Sequence, residues 1–318
     1  MFKKISSILL TVVLAGSVLF SPALVNAEKE KNYQRIVVVS DAHYPSKTSE
    51  SKNPELRAKK IEQKLQAVED IDSWPDVDLV VFTGDMVARL GNQEDYAEAK
   101  KFVDKFTKPV TFITGNHEFR YADTLSKKGK LRKCTPEFRQ EKLERFKTVF
   151  QMPELYYTKQ AAPYLLVFLS ADRTDDAFTT GISDEQLKWL DTTLSVYSNQ
   201  PTIIFFHAPL AGTLLPYNTE VNTVTRVAQP EEEIKRILTS HPQVKLWVSG
   251  HTHTPPTQPS FANKVNYYHG ILDVHNPTWD EQQVWTNSLY LYKHKIVICT
   301  YDHLNHKFMP QFKRVVKW

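Results

Sequence analysis

Five apolar runs in this sequence each end in side chains that can hold a metal ion. RIVVV (35–39) leads into SDAH, with Asp41 and His43. DLVVFT (78–83) leads into GD, with Asp85, and PVTFIT (109–114) leads into GNHE, with Asn116 and His117. TIIFF (202–206) leads into His207, and KLWVS (245–249) into GHTH, with His251 and His253. Imidazoles, carboxylates and a neutral amide oxygen make the donor set of a site for two divalent cations. Singly, each residue has a plainer reading: Asp85 as a turn cap, Asn116 in a Gly-Asn turn, His207 as a core histidine. Five recurrences at the same end of the same kind of run favour the metal reading. In an extended segment residues i and i+2 point the same way. This predicts that Asp41 with His43, and His251 with His253, face one site. Gly84, Gly115 and Gly250 each stand one residue before a candidate ligand. A missing Cβ there predicts a sharp turn or the close approach of substrate.

The elements that must position these residues are legible as alternating strands and helices. The runs above, with PYLLVFLS (163–170), are rich in β-branched and aromatic residues and read as buried strands. Helical patterns lie between them at 55–71, at 93–106, from Ser183, where SDEQ predicts a capping box, and at 230–238, where proline and acids open the helix. Alternation of this kind predicts an α/β layered fold whose ligand crevice lies at the C-terminal ends of the strands. After residue 260 the helical signal fades. YYHGILDV, SLYLYK, KIVICTYD and FKRVVKW read as antiparallel strands completing a second sheet. Residues 119–150 break the alternation. They hold ten Lys/Arg against four Asp/Glu and read as a basic helical insertion, either a solvated one or a cap that attracts an anionic substrate.

The N-terminus reads as a leader rather than as fold. Lys3 and Lys4 precede the apolar run ILLTVVLAGSVLF (8–20), and VNA (25–27) supplies small residues for cleavage after Ala27. The expected organisation is a signal peptide over 1–27 and one domain over 28–318, secreted, with no membrane span in the mature chain. The formal charge of the whole chain is +4, and loss of Lys3 and Lys4 brings it nearer neutral. A near-neutral balance argues neither for nor against an acidic polymer as partner. Two cysteines, Cys134 and Cys299, are too few for a disulfide framework and are expected as free thiols.

The series D-x-H, GD, GNHE, a lone His and GHTH, in that order over roughly 36–254, resembles the calcineurin-like metallophosphoesterases. The resemblance implies a four-layer α-β-β-α sandwich of two mixed sheets flanked by helices, with two divalent ions, Mn, Fe, Zn or Co. It implies that Asp41, His43 and His253 bind the first ion, that Asp85 bridges both, and that Asn116, His207 and His251 bind the second. His117 is implied as the catalytic residue that stabilises the transition state or protonates the leaving oxygen. Such a pair of ions favours a phosphate ester, acidifies a bound water and clamps the attacking and leaving oxygens. The expected function is therefore a secreted phosphohydrolase, with diesters favoured, acting by in-line attack of metal-bound hydroxide without a phosphoenzyme.

Departures narrow the reading. Purple acid phosphatases place a metal-binding tyrosine three residues after the Asp of GD, where this chain has Ala88. Secreted 5′-nucleotidases share GNHEF but carry a long further domain, and too few residues follow the last motif here. The alternatives are a phosphomonoesterase or nucleotidase on the same site, a nuclease, and a non-catalytic extracellular metal-binding protein. No stripe of aromatics with arginine supports a nucleic-acid partner, and no obligate protein partner is evident. The expected partner is a small phosphate ester. Arg120, three residues from His117, and Tyr44, after D-x-H, are the leading substrate-binding candidates, with Arg89, His269 and His275 behind them.

Overall fold

The β-branched runs form strands, and the amphipathic segments pack on them as helices. In chain order these are β1 (Tyr33–Val39), α1 (Pro54–Ser73), β2 (Val77–Phe82), α2 (Gln93–Val103), β3 (Val110–Phe112), α3 (Pro136–Phe150), β4 (Tyr157–Ala161), β5 (Tyr164–Phe168) and α4 (Asp184–Val196). There follow β6 (Thr202–Phe205), α5 (Glu231–Ser240), β7 (Val244–Ser249), β8 (Tyr267–Tyr268), β9 (Ile271–His275), β10 (Trp285–Tyr292), β11 (Lys295–Asp302), β12 (Lys307–Phe308) and β13 (Arg314–Lys317). This is a computed structural model, and it describes residues 31–175, 178–217 and 221–318. The leader expected over 1–27 lies outside them. Asn32–Trp318 fold as one unit. Among the described residues no helix is long and apolar enough to cross a membrane.

One sheet runs β12-β11-β10-β1-β2-β3, with β13 also paired to β11, and the other runs β4-β5-β6-β7-β9-β8. Both are mixed: β1, β2 and β3 are parallel, whereas β10 is antiparallel to β1, and β5, β6, β7 and β9 are parallel, whereas β4 and β8 are antiparallel. Strand alternation sorts the apolar residues into three packed layers. Ile36 and Val38 of β1 face Leu166 and Phe168 of β5 between the sheets. Val37 and Val39 face outward, onto Val68 and Ile71 of α1 and Phe102 of α2. Leu165 and Val167 of β5 pack outward on Leu190 and Leu194 of α4 and Ile237 of α5. The result is two mixed sheets with flanking helices, as the four-layer reading expects.

Two local expectations need correction. The C-terminal runs do not complete a separate antiparallel sheet. β9 joins the second sheet parallel to β7, and β10 carries β11 to β13 onto the first sheet by pairing with β1, Tyr33 opposite Tyr292. Alternation marks a strand as two-faced but does not name the edge that receives it. At α4, Ser183 caps the helix by accepting from the Gln186 N–H at 3.2 Å. The return half of the box does not form. The Gln186 amide instead brackets Ser170, accepting from its N–H and donating to its carbonyl at 3.0 and 2.9 Å, while the Ser183 N–H goes to Asp172. Cys134 and Cys299 are free and partly buried.

Candidate metal centre

The C-terminal ends of β1 and β2 from one sheet and of β6 and β7 from the other converge at one point. Past its last strand residue the β1–β2 pairing continues as a loop ladder, with Asp41 N–H on Gly84 C=O, His43 on Asp85 and Tyr44 on Met86 at 3.2, 2.9 and 2.8 Å. Across the site the Gly250 N–H donates to His207 C=O at 2.8 Å. The loops are not extended, so the i, i+2 alternation is not what aims the side chains. Asp41, His43, Asp85, His251 and His253 all take left-handed backbone conformations, with φ of 49°, 42°, 52°, 61° and 53°. Each such residue costs of order 1–3 kcal/mol and persists only where its surroundings over-determine it.

Glu118 supplies much of that determination. Its buried carboxylate accepts four backbone N–H groups, from Gly115 (2.7 Å), Asp85 (2.9 Å), Met86 (2.7 Å) and Val87 (3.3 Å), and so ties the GD loop to the GNHE loop. Burial, and then the Asp85 carboxylate, push its pKa up to about 7. Sequence reasoning gave Glu118 no role; the available signal was an acid directly after two candidate site residues.

The glycines serve loop-to-loop approach rather than substrate approach. A Cβ on Gly250 would lie 1.9 Å from Ser40 Oγ and 2.4 Å from Asp41 Oδ2. Gly84, at φ +95°, would meet the backbone of Gly115 at 2.5 Å. Gly250→Ala is therefore expected to destabilise the fold by about 1–3 kcal/mol through overpacking, read as a lower denaturant midpoint than that of the unmodified chain.

The converging atoms form two groups of three around a shared carboxylate. Asp41, His43 and His253 bring ligand atoms within 4.8 Å of one another, as do Asp85, His207 and His251. His253 Nε2 lies 3.0 Å from Asp41 Oδ1. Asp85 Oδ2 lies 3.4 Å from His207 Nε2 and 3.8 Å from His43 Nε2. Asp85 Oδ1 is taken by the His117 N–H at 2.8 Å, so a single oxygen, Oδ2, faces both groups.

The donor set fits divalent cations on an observation independent of residue type. His43 Nε2, His207 Nε2 and Asn116 Oδ1 are buried with no hydrogen-bond partner among the described residues. Leaving such an atom unpaired costs about 1–3 kcal/mol, and here three share one site. The far ring nitrogens are each matched to a carbonyl: His43 Nδ1 with Val87 (3.3 Å), His207 Nδ1 with Thr83 (2.8 Å) and His251 Nε2 with Thr225 (3.0 Å). A carbonyl only accepts, so in each ring the other nitrogen keeps its lone pair for a cation. The Asn116 amide donates to Tyr121 Oη at 3.4 Å, which turns its oxygen away from that partner. The electrostatics agree. Burial opposes charge on Asp41 and Asp85, yet the imidazoles beside them hold both below the usual carboxylate range. Burial likewise opposes charge on His207, but Asp85 overrides it and lifts the imidazole to about 9, so a cation at Nε2 takes the place of a proton there, while burial and the His207 charge push His251 down to about 3. The cluster draws in positive charge.

Above it opens a cavity of about 790 Å³, with Asn116, His117, His251 and His253 in its wall. His117 Nδ1 donates to Arg89 C=O at 2.6 Å, which leaves Nε2 on the site side, 4.0 Å from Asp85 Oδ2. His117 also falls in a third ligand-capable group with His43 and Asp85.

Residues 34–255 match the family model described as calcineurin-like phosphoesterase. The chain belongs to that family. It is 25% identical over 230 residues to a probable glycerophosphodiester phosphodiesterase of Arcobacter nitrofigilis, across 72% of this chain and 75% of the relative. It is 24% identical over 204 residues to a 3′,5′-cyclic-nucleotide phosphodiesterase of Nostoc sp., across 60% of this chain and 65% of that one. The fold resembles a dimetal phosphatase of Danio rerio at a TM-score of 0.58 and 16% identity, covering 90% of this chain and 99% of that one. It also resembles a purple acid phosphatase of yellow lupin at 0.58 and 14%, covering 91% and 54%. The protein is a hydrolase acting on phosphate esters.

In this phosphoesterase the two leading substrate candidates lie away from the cavity. The Tyr44 ring is buried, stacked on Phe102 at 4.4 Å within the core under the first sheet. Arg120 is 1% exposed and is not in the cavity wall. Spacing from His117 could not show that the chain turns Arg120 inward, with its N–H on Asn116 C=O at 3.0 Å. His275 is buried elsewhere, with Nε2 3.2 Å from Thr213 C=O, and His269 stands beside Tyr268. Arg89 does line the cavity, together with Lys47, Lys52, Tyr121 and Arg226, which sequence reasoning missed. The basic segment is not a detached solvated helix. Leu143, Phe146 and Phe150 of α3 enter the core, Lys142 is buried against Tyr121 C=O and Asp123, and Tyr121 and Leu131 reach the cavity wall.

Proposed function

We propose that this phosphoesterase is an exported phosphodiesterase that works with two divalent cations. The observation that carries the reading is the pair of three-residue ligand groups disposed about Asp85 Oδ2. Asp41, His43 and His253 would hold one cation, and Asn116, His207 and His251 the other, with Asp85 Oδ2 between them. Bound there, the cations supply charge opposite the ester's anionic oxygens and lower the pKa of water. Glu118 and the outer carbonyls keep the ligands in register. His117 Nε2, aimed by the Arg89 carbonyl, manages the proton at the leaving oxygen. Water is the nucleophile, and no covalent phosphoprotein forms. Diester preference is supported by the two phosphodiesterase relatives, and export by the charged, apolar and small-residue order of residues 1–27.

The test is exhaustive chelation followed by reconstitution, assayed on bis-p-nitrophenyl phosphate and p-nitrophenyl phosphate. Hydrolysis is expected to vanish, to return with Mn²⁺ or a similar ion at two equivalents per chain, and to favour the diester. Full activity in protein shown metal-free by elemental analysis would sink the assignment.

A further inference from the structure

The cation centre is not the only positive feature of the cavity. Lys47, Lys52, Arg89 and Arg226 all line it, and Asp85 is the one carboxylate among its described lining residues. Among the described lining residues Leu131 is the one aliphatic side chain larger than threonine, and Tyr121 the one aromatic besides the histidines. A wall of cations and hydroxyls has no apolar floor for an acyl chain. Its volume falls within the range of small-molecule sites, which argues for a small ligand rather than a polymer.

The main chain that carries one of these cations, Lys47, is firmly held. The Lys47 N–H donates to Asp280 Oδ2 at 3.1 Å, and the neighbouring Ser46 hydroxyl to Asp280 Oδ1 at 2.7 Å. Buried Lys64 joins the same carboxylate at 2.8 Å and the Pro45 carbonyl at 2.7 Å. Arg57 clamps the carbonyls of Ser46 and Thr48, both at 3.0 Å. Lys47 Nζ itself has no hydrogen-bond or ion-pair partner among the described residues. The side chain stands where the main cavity meets a second one of about 250 Å³, beside His253, which lines both.

Two divalent cations held by Asp41 and Asp85 already outweigh the charge of one ester phosphate. Four further cations line a cavity of about 790 Å³, which is more positive charge than one ester phosphate balances. From this we infer that the rim centred on Lys47 is a second anion subsite, and that the substrate is a small phosphodiester bearing another phosphate or carboxylate away from the scissile bond. The inference rests on the phosphodiesterase reading above and names its substrate class.

A matched pair of esters tests it: thymidine 5′-(p-nitrophenyl phosphate) and the same ester carrying a 3′-phosphate. Leaving group and nucleoside are identical. The metal-loaded chain is expected to favour the 3′-phosphorylated ester at least about tenfold in kcat/KM at low salt, mainly through KM. The preference should contract toward unity near 1 M salt, where the Debye length is about 3 Å. Lys47→Gln with Lys52→Gln should erase it at unchanged metal content, and Lys47→Arg should keep it. A ratio near one in the unmodified chain, or one that survives both glutamines, overturns the subsite. Calorimetric binding of thymidine 3′,5′-bisphosphate against thymidine 5′-monophosphate separates the two proposals. If neither diester is hydrolysed, the phosphodiesterase reading falls. The subsite then stands on a tenfold binding preference lost in Lys47→Gln, and falls with equal affinities.

Discussion

Asp85→Asn is expected to bring bound metal below two ions per chain and to take hydrolysis with it. The geometry makes this the most damaging single change. Asp85 Oδ2 alone faces both ligand groups, with His207 at 3.4 Å and His43 at 3.8 Å. Oδ1 already holds the His117 N–H. An amide in either orientation therefore forfeits something. With nitrogen at Oδ2 it presents N–H groups to imidazole lone pairs and to a cation. With nitrogen at Oδ1 it opposes the His117 N–H, and the remaining oxygen is neutral. The negative charge that attracts cations is lost in both cases. Elemental analysis after gel filtration and initial rates on bis-p-nitrophenyl phosphate check the result. Two retained ions with intact turnover would remove Asp85 from the bridge.

His117→Ala should act on chemistry and spare the metals. Proton management by a positioned side chain is typically worth about 10²–10⁴-fold, and a rate loss in that range is expected. The loss should shrink for p-nitrophenolate, a leaving group that scarcely needs a proton, and persist for alkyl alcohols. Equal losses for both would assign His117 to stabilising the phosphate oxygens. Because His117 Nε2 also lies within reach of His43 and Asp85 as a ligand-capable group, the metal content of this variant is decisive. Loss of an ion would put His117 in the ligand shell.

The sequence carried the site further than the scaffold around it. Asp41, Asp85, Asn116, His207, His251 and their neighbours were legible because each follows a β-branched run, and parallel strands bring their C-terminal ends to one edge. The reason they aim inward was only faintly legible: left-handed backbone favours Asp, Asn and His among non-glycine residues, but residue type does not say which of them adopt it. Glu118 was hidden because its partners are four N–H groups on two loops. Tyr44 and Arg120 lie buried outside the cavity wall, since nearness in sequence to a motif says nothing about which way a loop faces. The cations of the rim come from three separate loops, Lys47 and Lys52 sharing one, and only the folded chain assembles them. The placement of β10 failed for a related reason, since its partner β1 stands at the opposite end of the chain.

That pairing bears on how the molecule comes into being. Every candidate ligand lies within 34–255, the span that matches the family model, yet both of its sheets pair with strands beyond that span. Until β10 arrives, β1 has β2 on one side only, and its other edge of unpaired amides is open along a strand that ends in the apolar run Ile36–Val39. β7 likewise waits for β9. A chain growing from its N-terminus therefore holds all its ligand residues well before it can hold them in position. Sheet closure depends on contacts of the greatest sequence separation, the kind that forms late and slowly. Metal capture is thus expected to close maturation rather than to seed it.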